Sequence, residues 1–188
     1  MNYRNCRSLA LALASIALLL CSCQSLPRRN PTGEMFPTVR GNALDGRAWK
    51  LPGDLRGKPT LLLIGYKQDS QFDIDRWLLG IEQLGLKITA IELPTIAGMF
   101  PRMFSTRIDS GMRRGIPKAL WGGVITIYGD AKTIQRFTGT ENALNARVIL
   151  LDGRGKVAFF YDEGFAIAPL RRLEQALDKE RALSPSAK

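Results

Sequence analysis

The seven residues from Thr60 to Tyr66, TLLLIGY, form a continuous apolar run immediately after Pro59. Such a run reads as a strand buried on both faces, and a strand of that kind requires a packed layer on each side of its sheet. A helix is expected directly after it. Ile74, Trp77, Leu78, Ile81 and Leu84 recur at spacings of three and four, so they share one face, with Trp77 in the core. Ser70 and Asp73 make a capping-box-like start and Gly85 a stop. Leu86 to Leu93 reads as a second strand broken by Pro94, Val124 to Tyr128 as a third and Arg147 to Leu151 as a fourth. Asp152-Gly153-Arg154-Gly155 then turns tightly into Lys156 to Tyr161. Asp130 to Phe137 reads as a short helix capped by Asp130, and a last helix from about Pro169 carries Leu170, Leu173 and Leu177 on one face. Upstream, Asp45-Gly46 sets a hairpin over Gly41 to Leu51. Thr95 to Trp121 is a partly helical insertion interrupted by Pro101, Gly111, Gly115 and Pro117. The expected class is α/β, a central mixed sheet flanked by helices, with an N-terminal hairpin and a helical insertion.

All three cysteines, Cys6, Cys21 and Cys23, lie in the first 23 residues, and the chain has no histidine. Thiol redox chemistry, internal disulfides, zinc sites built from Cys or His, and nucleophilic relays through His need residue types the folded part lacks. Carboxylate, lysine, tyrosine and arginine chemistry remains. No cofactor is expected.

The cysteines belong to a different story. Arg4 and Arg7 precede Leu9 to Leu20, an apolar stretch broken only by Ser15, too short to span a bilayer comfortably and shaped like a secretory signal. It ends in Leu20-Cys21-Ser22-Cys23, which resembles a bacterial lipobox with Cys23 as the lipid-attachment residue. Residues 1–22 are therefore expected as a lipoprotein signal peptide, 23–34 as a Pro- and Arg-rich tether, 35–182 as the folded domain and 183–188 as a disordered tail. By the same resemblance, Gln24 after the cysteine favours the outer membrane, which places the protein in the cell envelope, lipid-anchored on the periplasmic side.

Charge sets the expected partners. The chain carries 27 basic and 17 acidic residues, and loss of Arg4 and Arg7 with the signal leaves a net charge of +8. Arg102, Arg107, Arg113, Arg114 and Lys118 cluster in the insertion, opposed only by Asp109. An exported protein rarely meets nucleic acid, and no aromatic-interleaved binding motif accompanies the cluster. The expected partners are membrane lipid through the anchor and, at the cluster, an acidic protein or anionic lipid.

The order of elements, and the stretches Met35-Phe36-Pro37, Leu44-Asp45-Gly46, Leu55 to Leu63 and Leu150 to Val157, resemble the thioredoxin-like superfamily, in particular its peroxiredoxin and periplasmic members. The resemblance places Asp69 and Phe72 where the redox cysteines would stand and Ala146 where the cis-proline would, so the residues of an oxidoreductase are replaced. Three stretches resemble a redox-inactive branch, the mitochondrial ATP synthase assembly factors of the Atp-ten family: Gly65 to Trp77, Met112-Arg113-Arg114-Gly115-Ile116-Pro117, and Val148 to Ala166. This implies an assembly role. The lipoprotein signal stands where that family has a mitochondrial presequence.

Tyr66 and Lys67 fall at the C-terminal end of the first central strand, where open α/β sheets bind ligands. With Asp69, Arg113, Arg114, Trp121 and Arg147 they make the expected partner-binding set, Arg147 either facing the groove of Tyr66 or pairing with Asp69. Asp69, Asp73 and Asp75 suit a hard metal, yet carboxylates in a first helical turn are expected in any case, each contributing about 0.3–1 kcal/mol against the N-terminal partial charge. No metal site is assigned. Two classes follow: a noncatalytic, membrane-anchored binding or assembly factor without redox cysteines, and a hydrolase or metal-dependent enzyme built on Asp69, Asp73 and Lys67. The lack of Cys and His favours the first.

Overall fold

The computed structural model describes residues 25–183. Cys23, the signal region and residues 184–188 lie outside them. The β1 strand (Val39–Ala43) and β2 (Ala48–Leu51) form the hairpin around Asp45-Gly46, with Gly46 at φ +96°. Then come β3 (Thr60–Gly65), α1 (Gln71–Gln83), β4 (Thr89–Pro94), α2 (Met99–Met103), α3 (Ser105–Gly115), β5 (Ile125–Thr126), α4 (Ala131–Thr138), β6 (Arg147–Leu151), β7 (Val157–Tyr161) and α5 (Ile167–Leu183).

The central sheet has the order β4-β3-β6-β7, with β3 parallel to β4 and antiparallel to β6. A smaller sheet, β2-β1-β5, continues it, because single bridges join Glu92 to Val124 and Thr95 to Ile127 beside β4. All six residues of β3 are buried, as a run without polar alternation requires. Leu62 and Ile64 face a core shared with Phe36, Val39, Ile91, Leu93, Ile127, Ile134 and Ile149. Leu61 and Leu63 face the other, with Ile74, Trp77, Ile81, Leu170, Leu173 and Leu177 of α1 and α5. Each fully buried aliphatic side chain contributes about 1.5–3 kcal/mol relative to exposure.

Helix starts differ from expectation. Ser70 makes no capping bond to the helix; its hydroxyl donates to the Lys67 carbonyl at 2.6 Å. Asp73 turns inward, where its carboxylate accepts from the Ala146 amide at 2.9 Å and the Phe165 amide at 2.7 Å. Asp130 does not cap α4; it accepts from the Arg40 amide at 2.8 Å. For Asp73 and Asp130 a distant backbone N–H competes for the side chain that the local pattern assigns to the helix, whereas Ser70 turns to a carbonyl three residues back.

The expected tether is a strap. The Leu26 amide donates to Thr140 Oγ1 at 2.7 Å, Arg28 pairs with Asp162 at 2.8 Å, Pro31 is buried, and the Gly33 amide donates to the Val157 carbonyl at 2.8 Å. Residues 25–35 thus run beside β7 from one end of the sheet to the other. Polar, aperiodic composition suggested a linker, but the strap satisfies its groups on carboxylates and carbonyls more than a hundred residues away.

Candidate functional site

One end of the central sheet carries Tyr66 and Lys67 of the residues singled out from the sequence, beside a cleft. There β3 and β4 finish, and β6 begins, Ile64 lying opposite Arg147. Gly65 lets α1 start close against the strand, since a Cβ at that position would stand 2.5 Å from Ser70 Oγ. The insertion then folds over the strand ends, leaving a cleft of about 660 Å³. Its floor and walls are apolar: Ile74, Ile96, Val124, and Ile108, Met112 and Ile116 from the insertion. Its polar lining includes Lys67, Ser70, Gln71 and Glu92.

Glu92 is the acidic residue of that lining. It is half-buried, and burial raises its carboxyl above the ordinary glutamate range; a hydrogen bond from Gln71 Nε2 at 3.1 Å opposes the shift and nearby Asp75 adds to it. The same Gln71 nitrogen donates to Asp75 at 2.9 Å. Glu92 and Gln71 were not recognised in the sequence. The available signal was the single acidic residue inside the largely apolar stretch Leu86 to Leu93.

The expected partner-binding residues divide. Tyr66 lines the cleft with its backbone end, but its ring is buried and its hydroxyl meets Thr138 Oγ1 at 2.6 Å. Burial pushes that phenol up to about 12. Lys67 and Asp69 are exposed at the mouth, Asp69 in the short turn Gln68–Ser70 that leads into α1. Phe72, which the sequence resemblance puts at the other redox position, is 69% exposed.

Arg147 corrects the expectation made for it. It is fully buried, does not line the cleft and does not pair with Asp69. Its guanidinium donates to the carbonyls of Asn142 (3.0 Å), Asn145 (2.9 Å) and Glu141, and lies 4.8 Å from the centre of the Tyr66 ring. It organises the loop before β6. Burial lowers its pKa from the usual guanidinium value, with Tyr66 and Asp162 opposing. Asp162, also buried, has its carboxyl raised by desolvation despite Arg28 and Arg147.

The insertion arginines divide as well. Arg113 Nε donates to the Leu44 carbonyl at 2.7 Å, and its guanidinium lies 5.8 Å from the Trp121 ring centre, so it ties α3 to the hairpin turn. Trp121 is half-buried and donates to the Ile116 carbonyl at 2.9 Å. Both side chains are held by contacts inside the domain. Arg102, Arg107, Arg114 and Lys118 are exposed and make none of the ion pairs among the described residues.

The carboxylate group is broken up by Asp73. With that residue committed to two amides inside the domain, Asp69, Asp73 and Asp75 do not converge, and no group of three metal-ligating side chains occurs among the described residues.

No protein-family model matches the sequence, and no curated protein sequence matches it. Solved structures do. BsSco, a member of the Sco family of cytochrome c oxidase assembly proteins, is similar with a TM-score of 0.57 over 83% of this chain and 98% of its own, at 11% identity. Yeast Sco1 with copper bound gives 0.56 over 85% and 98%, at 12% identity. The thioredoxin domain of a thiol-disulfide oxidoreductase from Bacteroides vulgatus gives 0.50 over 79% and 99%, at 18% identity. The chain has a thioredoxin-like fold.

Proposed function

We propose that this protein is a membrane-anchored, noncatalytic thioredoxin-like binding or assembly factor, and that the cleft beside β3 and β4 holds a segment of its partner. The observation that carries the reading is the composition of that cleft. Where thiol enzymes of this fold need a thiolate, the turn and the start of α1 beside the cleft carry Asp69 and Phe72, and residues 25–183 contain neither Cys nor His. Behind them is an apolar trough with one desolvated carboxylate, Glu92. An apolar peptide with a basic side chain placed to meet Glu92 fits those walls. Two of the three fold neighbours described above are Sco proteins, and one of these is described as belonging to a family of cytochrome c oxidase assembly proteins; the stretches resembling the Atp-ten family point the same way, to assembly of a membrane complex. The copper held by yeast Sco1 does not carry over. A soft metal of that kind favours thiolate and imidazole donors, and the described residues offer none.

The anchored reading places the protein in the cell envelope, attached through Cys23, with no nucleic-acid partner. Its test is cross-linking in native membranes from photoreactive residues at Gln68 and Met112, on opposite sides of the cleft. The expected result is one shared partner at both sites, lost in Glu92→Lys, whose complex accumulates unassembled when the protein is deleted. Cross-links that persist unchanged in Glu92→Lys, or normal assembly of the captured protein's complex after deletion, would overturn the cleft as the binding site.

A further inference from the structure

The insertion carries apolar surface that the fold leaves open. Met99 is 78% exposed, Phe100 75%, Met103 71% and Phe104 53%. In α2, Met99 sits one turn before Met103, and Phe104 follows Phe100 by the same interval, so the four side chains share one side of that short segment. Arg102 and Arg107 flank it, Arg114 and Lys118 follow, and all four are exposed. Asp109, the acidic residue within residues 99–121, is turned to the body of the domain, where the Tyr128 hydroxyl donates to it at 2.7 Å. The outer side therefore combines large apolar groups with unopposed positive charge.

That combination matches the boundary between acyl chains and headgroups in an anionic bilayer, where Phe and Met gain from leaving water and Arg from meeting phosphate. The place where the described chain begins supports the same partner. Leu26 is bonded to Thr140, in the loop that leads into β6, at the sheet end where β4 hands over to the insertion. The 24 residues before Ser25, with the apolar stretch Leu9 to Leu20 and Cys23, thus join the domain at the same end as the exposed aromatic residues.

We infer that residues 99–107 are a lipid-docking element: Met99, Phe100, Met103 and Phe104 enter the interface of an anionic membrane while Arg102 and Arg107 bind its phosphates. The inference rests on the membrane-anchored reading for its orientation, the anchor and the element together presenting one end of the domain to the bilayer.

The test uses the full chain reconstituted into vesicles containing a lipid that carries a photoactivatable diazirine in its acyl chain, followed by tryptic mapping. Residues 88–102 and 103–107 are separate peptides, distinct from the N-terminal ones. In phosphatidylglycerol-containing vesicles both peptides should be labelled. Phe100→Ser with Phe104→Ser should remove the label. Arg102→Ser with Arg107→Ser, read on the joined peptide 88–113 that loss of the two cleavage sites creates, or a change to pure phosphatidylcholine, should lower it by roughly tenfold or more, since each arginine near an anionic surface contributes about fivefold in affinity. Both double variants alter exposed side chains, and an unchanged circular dichroism spectrum verifies that they fold. Labelling confined to N-terminal peptides overturns the inference and leaves the anchor standing. Labelling of 88–107 without any acyl group on Cys23 upholds it and removes the anchored reading. If these peptides take no lipid label but are shielded from a water-soluble reagent in native membranes by a bound protein, the surface belongs to a protein partner and the lipid assignment is wrong.

Discussion

The strap and the insertion share a composition and have opposite fates. Both are rich in Arg and Pro, and neither carries a long apolar period. In the strap, Arg28 reaches Asp162 and Glu163, and Arg29 pairs with Glu34 at 2.5 Å and donates to the Phe137 carbonyl at 2.9 Å. In the insertion only Arg113 finds comparable partners, while Arg102, Arg107 and Arg114 point to solvent. Arginine density therefore says little about whether a basic segment is part of the body or offered to something else. The acceptors decide, and most of them lie far away in sequence.

The comparison breaks most visibly at Arg147, the extreme case of an arginine absorbed by the fold. Arg147→Met leaves three carbonyls of the 141–145 loop without their donor, and an expected loss of about 3 kcal/mol or more is readable as a shifted urea midpoint. Arg147→Lys should recover only part of it, because one ammonium cannot reproduce the planar fork. An unchanged midpoint for the Met variant would mean that the loop holds itself.

Arg28→Ala tests the strap. It leaves the buried Asp162 carboxylate without its closest cation, and about 1–2 kcal/mol should be lost at neutral pH, the pair being half-open to solvent. Because Asp162 already has a raised carboxyl pKa and removal of Arg28 raises it further, the folded state holds its proton more tightly than the unfolded chain. Stability then falls as pH rises through that window, so the variant's deficit should shrink on acidification. A deficit that grows at low pH would contradict this assignment.

Within the insertion, single substitutions should separate two neighbours. Arg113→Ala loses its bond to the Leu44 carbonyl and its contact with Trp121, an expected cost of about 1 kcal/mol. Arg114→Ala should stay within about 0.5 kcal/mol of the parent, as exposed charges do. Equal melting temperatures for the two would remove the distinction between a tied and a free arginine.

The smallest effect is at Glu92. Its folded-state pKa lies above that of an unfolded glutamate, so the folded protein binds more protons between the two values, and stability decreases as pH rises through that interval. Glu92→Gln should flatten this slope while retaining the contact with Gln71. A variant whose stability keeps the parent's pH profile would show that the carboxyl is better solvated than its position implies.

What could be read in advance follows from how local each signal is. The TLLLIGY run, the stripe through Ile74, Trp77 and Ile81, and the turn at Asp152-Gly153 each encode their element within a few residues, and each element forms. Gly85, at φ +63°, closes α1 as a residue free of a Cβ should. The site was less legible. Their place at a strand end points to Tyr66 and Lys67, which line the cleft, but Glu92 lies hidden inside a run read only for its hydrophobicity.

The amino-acid sequence alone determined the layered α/β order, the two-faced burial of β3, and the want of thiol or imidazole chemistry beyond residue 23. Burial pattern and residue inventory are properties of short stretches and of composition, so they need no tertiary contact. Only the tertiary structure decided which polar groups were spent inside: Asp73 on the amides of Ala146 and Phe165, Arg147 on the loop beside it under Tyr66, and Arg28 on Asp162. A carboxylate or guanidinium carries the same charge wherever it stands in the chain. Its role depends on what the fold brings within 3 Å of it, and most of those partners come from across the sheet.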